Sequence, residues 1–470
     1  MLFRSTFHLA NKIIGVIALV CFVLMFAFAK YIGLFFVGDL QDGTDINSIV
    51  LVIRTISFCL LVIPFLSVLR GYFQGNKFIN YSSDSQLIEQ IVRIIVVLVG
   101  SYVAINLLHY DIPVGVSVAL SGTVLGGLVT YLILRFRLVK ARHILNEGVT
   151  SKKDATDSDK TIMNRIIRYS IPIIIVAVTQ NIYEITDMKL IIKGLYMIGY
   201  SAEKSEYLAS IVVTWTPKIC MIINALATGL CTSVIPFIVA SHTEKNYKEL
   251  NRKFNQAINI ILAVSIPLSI FIIIFSDEVY RIFYGPSVEG KYILCVMAVT
   301  SIFFSLQLVV NMILQGMKNF KMVYINTVTG IVINILLDIP LILFLNKTPI
   351  PPYLGSLFAT MIGLAISELI VVLYLKNKYS FHYRNIIATL FKTIFGTAIM
   401  AIIVYLLKEY LFTTLVNRFL LIIEIGLIGV LGVGAFLLIA HKTKLMDEVL
   451  GEGFLNRLLA RFKRGKKNEE

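Results

Sequence analysis

Residues 70–98 read RGYFQGNKFINYSSDSQLIEQIVRIIVVL. A glycine-bearing polar turn leads into an apolar segment that carries Glu89 and Arg93 one helical turn apart. An acid four residues before a base shares its helix face, so the spacing predicts a Glu89–Arg93 pair that neutralises itself. Charges within apolar segments usually face a bundle interior or a cavity. The pair therefore predicts either a lining that offers Arg93 to an anionic guest or an ion pair that holds a helix bundle together. The stretch reads as two membrane helices joined by a turn.

The rest of the chain fits that reading. Of 470 residues, 57% are hydrophobic and 15% charged, and the mean hydropathy is +0.82. That is more apolar surface than a soluble chain of this length can bury. Crossing a hydrocarbon core of about 30 Å takes roughly 20 apolar residues. Runs of that kind lie at 12–36, 48–68, 86–108, 112–134, 166–188, 208–240, 255–276, 292–315, 323–345, 353–375, 386–407 and 419–440. Lipid offers no partner to open backbone groups, so the runs predict helices. The expected fold class is an all-α polytopic membrane protein with about 12 transmembrane helices. The five cysteines all fall in apolar runs without a CxxC spacing, and the six histidines are scattered, so no transition-metal site is indicated.

The net charge of +15 is unevenly placed. With alternate loops assigned to one side, 30 Lys and Arg fall on the side of both termini and 9 on the other. This bias puts both termini in the cytoplasm and accounts for the charge without nucleic acid. Met1–Ala29 imitates a signal peptide ending in Ala27-Phe28-Ala29, but an internal repeat argues against that. Gln74-Gly75 and Lys77 match Gln315-Gly316 and Lys318 at an offset of 241. Phe7, Ala10, Ile13 and Ile14 match Phe254, Ala257, Ile260 and Ile261 at an offset of 247, as do Phe36 and Gly38 with Phe283 and Gly285. Both copies start from the same side, which is a parallel repeat of the kind transporters use. The second copy has two further helices, at 166–240, so the repeat predicts that about 75 residues of the ancestral fold precede Met1.

The expected divisions are an N-terminal lobe of four helices at 1–142, a cytoplasmic linker at 143–162 and a C-terminal lobe of six helices at 163–378. A further helix pair follows at 379–444 and a basic cytoplasmic tail at 445–470.

Several polar residues are candidates for function. Arg70 and Lys77 flank the Gly75 turn and Lys318 sits on its counterpart, where they would meet an anionic headgroup or anchor the inner interface. Lys218, in WTPKICMIINAL, lies inside an apolar run, where an ammonium needs a cavity or a partner. Asn334 and Asp338 share a helix face. With Asp187, Glu184 one turn earlier and Thr360, they offer hard oxygen ligands suited to a small alkali cation. Protonation of the same acids is the rival, and Asp338-Ile-Pro340 could instead mark a helix end. Glu368 and Glu424 also lie within spans. Asp157-Ser158-Asp159 resembles a glycosyltransferase DxD but sits in a polar linker. In the tail, Leu455, Leu458, Leu459 and Phe462 form one apolar face among basic residues, suited to anionic inner-leaflet lipids.

RGYFQGNKF followed by SQLIEQIVRI, together with LATGLCTSVIPFIVASH at 226–242, resembles the SpoVB/MurJ-like flippases of the multidrug/oligosaccharidyl-lipid/polysaccharide (MOP) exporter superfamily. The resemblance implies a MATE-like bundle of two lobes and a final helix pair, fourteen helices in the family, of which this chain resembles helices three to fourteen. It also implies a bacterial cytoplasmic membrane location and alternating access rather than covalent chemistry. The implied cargo is an undecaprenyl-pyrophosphate-linked sugar for cell-wall, spore-cortex or polysaccharide synthesis, with the cell-wall machinery as possible partner. A family sodium site carries over to Asp187, Asn334, Asp338 and Thr360, so the coupling ion would be Na+ or H+. A cavity arginine of the family aligns with Pro217, one residue before Lys218. Expected substrate-binding residues are thus Arg70, Glu89, Arg93 and Lys218, with no catalytic residue and no bound cofactor. The alternatives are a multidrug or organic-cation antiporter of the same superfamily, an inactive relative, and a membrane-embedded enzyme, for which the outer loops are short.

Overall fold

Residues 2–37, 45–76, 78–140, 159–411 and 418–450 are described by the computed structural model. They are helical throughout apart from short connections. Eleven helical segments are long and apolar enough to cross a membrane. The remaining expected span, 166–188, lies inside a 39-residue helix. The chain divides into two compact units, Met1–Ile173 and Ile174–Glu470.

The first unit contains α1 (Leu2–Ala27), α2 (Ala29–Val37), α3 (Ile46–Ser57), α4 (Ile63–Gly75), α5 (Ile79–Ile95) and α6 (Ile112–Lys140). Asp45 caps α3 by accepting from the Ser48 amide. Pro64 opens α4, where a missing N–H costs no helical bond. Lipid tails are as apolar as leucine, so helices associate there through close backbone approach and hydrogen bonds. α6 supplies the approach with Gly122-Thr-Val-Leu-Gly126. A Cβ at Gly126 would stand 2.8 Å from the Glu89 carbonyl oxygen of α5.

The second unit begins within α7 (Asp159–Met197) and continues through α8 (Ala202–Ser210), α9 (Thr216–Cys231), α10 (Ile235–Thr243), α11 (Tyr247–Ile274) and α12 (Ser276–Tyr284). It is completed by α13 (Val288–Gly316), α14 (Phe320–Leu345), α15 (Gly355–Tyr379), α16 (Arg384–Leu411), α17 (Arg418–Lys442) and α18 (Leu445–Leu450). α11 and α13 are its most buried spans. α14 and α15 form the tightest pair, because a Cβ at Gly363 would lie 2.5 Å from the Gly330 carbonyl oxygen. α16 packs on α11 and on α17. Lys408 of α16 pairs with Glu278 of α12 at 2.7 Å, and Lys392 of α16 pairs with Glu448 of α18.

The turns after α4 and α13 carry the same backbone hydrogen bonds at the repeat offset. Phe78 donates to the Phe73 carbonyl and Asn319 to the Leu314 carbonyl; Asn76 donates to Tyr72 and Met317 to Ile313. Lys318 holds the second turn with a φ of 57°. Lys77, the linker motif at 157–158 and the tail beyond residue 450 lie outside the described residues.

Candidate functional site

The second unit gathers the oxygen ligands expected from the sequence. On α14, Asn334 and Asp338 are one turn apart, 1% and 0% exposed. Asn334 Nδ2 donates to Asp187 Oδ1 of α7 at 3.3 Å and to Thr360 Oγ1 of α15 at 3.0 Å. Thr360 Oγ1 donates to the Ser356 carbonyl at 3.0 Å and accepts from Tyr183 OH at 2.8 Å. The Asp338 carboxylate neighbours that of Asp187. No lysine or arginine pairs with either acid among the described residues.

α14 does not end at Asp338, as Asp338-Ile-Pro340 allowed. It runs through Pro340 to Leu345, with Asp338 fully buried. Both oxygens of Asp338, Oδ1 of Asn334 and Oγ of Ser356 are buried without a hydrogen-bond partner. Two carboxylates and unsatisfied acceptors at one place are unstable unless something positive sits among them. The donor set of carboxylate, amide and hydroxyl oxygen suits a hard cation rather than a soft one. Among the described residues no group of three or more His, Cys, Asp or Glu is arranged for a metal ion.

A cavity of about 180 Å³ opens beside this group. Tyr183, Glu184, Asp187 and Thr360 line one side, and Asn224, Phe304 and Gln307 another. The sequence missed Tyr183, Asn224 and Gln307. Tyr183 lies four residues before Asp187, a spacing that would have placed it on the acid's face. Pro217 lines the cavity, whereas Lys218 is exposed and does not. Lys218 thus lies on the exposed face of α9, outside this cavity.

The first unit corrects the opening expectation. Glu89 pairs with Arg70 of α4, not with Arg93: Arg70 Nη2 donates to Glu89 Oε2 at 2.7 Å, and Arg70 Nε to Ser85 Oγ at 2.8 Å. A guanidinium fork can hold both oxygens at once, and packing α4 against α5 outcompetes the bond within one helix. Arg93 instead donates to Gln90 Oε1. Gln74 Nε2 adds a bond to Ser82 Oγ at 2.8 Å, a second polar tie between α4 and α5.

Helical units with apolar exteriors and buried polar groups define a multi-pass membrane protein. A family profile described as "Polysaccharide biosynthesis protein" matches residues 5–203, and one described as MatE matches residues 172–339. The chain is 30% identical over 381 residues to "Lipid II flippase MurJ" of Bacillus subtilis (strain 168), covering 79% of this chain and 68% of that protein. It is 24% identical to "Stage V sporulation protein B" of the same organism, covering 66% of this chain and 58% of that protein. The fold also matches a solved structure of "Lipid II flippase MurJ, inward closed conformation" with a TM-score of 0.64 and 18% identity, covering 95% of this chain and 85% of that chain. The chain belongs to the MurJ-like flippase family, a family of transporters rather than enzymes.

Proposed function

We propose that this protein translocates an undecaprenyl-pyrophosphate-linked sugar, lipid II or a related oligosaccharide lipid, by alternating access coupled to a sodium ion. The observation that carries the coupling is the set of buried, unpartnered oxygens at Asp338, Asn334 and Ser356 beside Asp187. Asp187, Asn334, Asp338 and Thr360 would hold the ion, which neutralises the two acids. The relative at 30% identity supports the cargo class. Arg93 is the cation best suited to a pyrophosphate in the first unit. Its neighbouring acid is engaged by Arg70, so its bond to Gln90 leaves the positive charge unneutralised. Arg70 and Glu89 then act as the scaffold beneath it. The charge bias supports entry of the headgroup from the cytoplasmic leaflet, and anionic lipids would attract the basic tail.

Export of organic cations is a second reading. The cavity of the second unit is lined by Tyr183, Glu184, Asp187 and Phe304, acids and aromatics that suit a cationic guest. Reconstitution of the full chain in proteoliposomes separates the two. Translocation of lipid II that is stimulated by a sodium gradient, and not by a choline gradient, is the expected result. Sodium-driven transport of tetraphenylphosphonium without lipid II movement would establish the second reading instead.

A further inference from the structure

Glu368 lies on α15, away from the group described above, and is partly buried. Asn326 Nδ2 donates to Glu368 Oε1 at 3.0 Å and to Asn311 Oδ1 at 3.0 Å. Asn311 Nδ2 donates to Thr327 Oγ1 at 3.4 Å. Asn326 is 0% exposed, and its Oδ1 has no partner.

The repeat shows what is unusual here. At the offset of 241, Asn311 corresponds to Arg70 and Asn326 to Ser85. In the first unit Arg70 bonds Ser85 and neutralises Glu89. The second unit keeps the same cross-helix tie, Asn326 to Asn311, and keeps a carboxylate on it, now supplied by Glu368. An amide stands where the arginine stood, so the carboxylate has lost its cation. The titratable or charged groups on the helices packed around it are Lys321, Tyr324 and Asp338 on α14 and Glu289, Lys291, Tyr292 and Cys295 on α13. Among the described residues none of these pairs with or hydrogen-bonds to Glu368. A carboxylate within a membrane span does not stay charged and unpartnered; it takes a proton or a cation. Around Asp338 two carboxylates and an amide oxygen stand together, whereas Glu368 meets a single amide, so the proton is favoured at Glu368.

The cluster also has an arrangement for each protonation state. When Glu368 is ionised, the Asn326 N–H serves it. When it is protonated, a half-turn of the Asn326 amide presents the unpartnered Oδ1 to the new O–H. That turn asks Asn311 to turn as well, which reverses its bond to Thr327. Thr327 lines a narrow cavity of about 10 Å³ whose other walls include Tyr183, Gln307 and Thr360. Such a volume is about that of a single water. Thr360 belongs to the Asp187–Asn334–Asp338 group. Asn326 and Asp338 are twelve residues apart on one helix, about 18 Å along its axis.

We propose that Glu368 is a proton-exchanging carboxylate, linked through Asn326, Asn311 and Thr327 to the cation group around Asp338, so that protonation at one end and cation occupancy at the other influence each other. The linkage rests on the cation reading above; the protonation of Glu368 does not.

The test is pH-difference infrared spectroscopy of the full chain in lipid nanodiscs, in sodium chloride and in choline chloride. The expected result is a titrating protonated-carboxyl band that Glu368→Gln removes, Asn326→Ala shifts in frequency and Asp338→Asn retains, with a midpoint that differs between the two salts. A spectrum unchanged by both Glu368→Gln and Asn326→Ala overturns the proposal. If Glu368→Gln does not fold, Asn326→Ala and Glu368→Asp decide it by the same band. A Glu368-dependent band whose midpoint is the same in both salts removes the linkage. If Asp338→Asn leaves a salt-dependent midpoint intact, the cation reading at Asp338 fails while the assignment to Glu368 stands.

Discussion

Thr360 shows how much one hydroxyl can organise. It accepts from Tyr183 and Asn334 and donates to the Ser356 carbonyl, tying α7, α14 and α15 together at one atom. Its replacement by valine keeps the shape and removes those bonds. Hydrogen bonds between membrane helices are worth about 0.6 kcal/mol on average, so Thr360→Val is expected to fold. Its sodium affinity should fall by about tenfold, because the hydroxyl that orients Asn334 is lost, as equilibrium sodium binding would show. Lys218→Ala should leave that affinity within about twofold, since Lys218 is exposed and absent from the cavity wall. Lys218 stood out in the sequence because a charge in an apolar run is conspicuous. Tyr183 and Gln307 did not, because an aromatic and an amide are ordinary there. The Asn334–Asp338 spacing was legible as it needs only the period of one helix. The Glu89 partner was not, because Arg93 at four residues and Arg70 at nineteen compete and only packing decides.

The helix pairs α5–α6 and α14–α15 are both built on glycine approaches, at Gly126 to Glu89 and at Gly363 to Gly330. Nothing larger fits without moving a backbone carbonyl. Gly363→Leu is therefore expected to lower thermal stability, by about 1–3 kcal/mol or more as overpacking does. It should also weaken sodium binding, since it spreads the helices that carry Thr360 and Asn334. Gly126→Leu should lower stability alike but leave sodium binding unchanged, because its contact lies in the first unit. Thermal unfolding in lipid, followed with and without sodium, distinguishes the two. The individual spans were legible from apolar length alone. Their pairing was hinted at only by the turn at the repeat offset, where Phe78 and Asn319 make equivalent bonds.

At the scale of the whole molecule, the repeat gives two units one plan and different charges. The first keeps its carboxylate, Glu89, under an arginine; the second holds Asp187, Asp338 and Glu368 within its spans, with no lysine or arginine paired to them among the described residues. Under the proposed function, an anionic headgroup and a cation would each meet a complementary partner on one chain. Arg93→Ala is expected to reduce lipid II translocation in proteoliposomes at least tenfold, the loss of one charge-assisted phosphate contact, without changing sodium binding. The most direct measurement of the central claim is equilibrium binding of radioactive sodium to the purified full chain in lipid. One saturable ion per chain, lost in Asp338→Asn and retained in Lys218→Ala, is the predicted result. Saturable binding that survives Asp338→Asn, or no saturable binding to the unaltered chain, would contradict it.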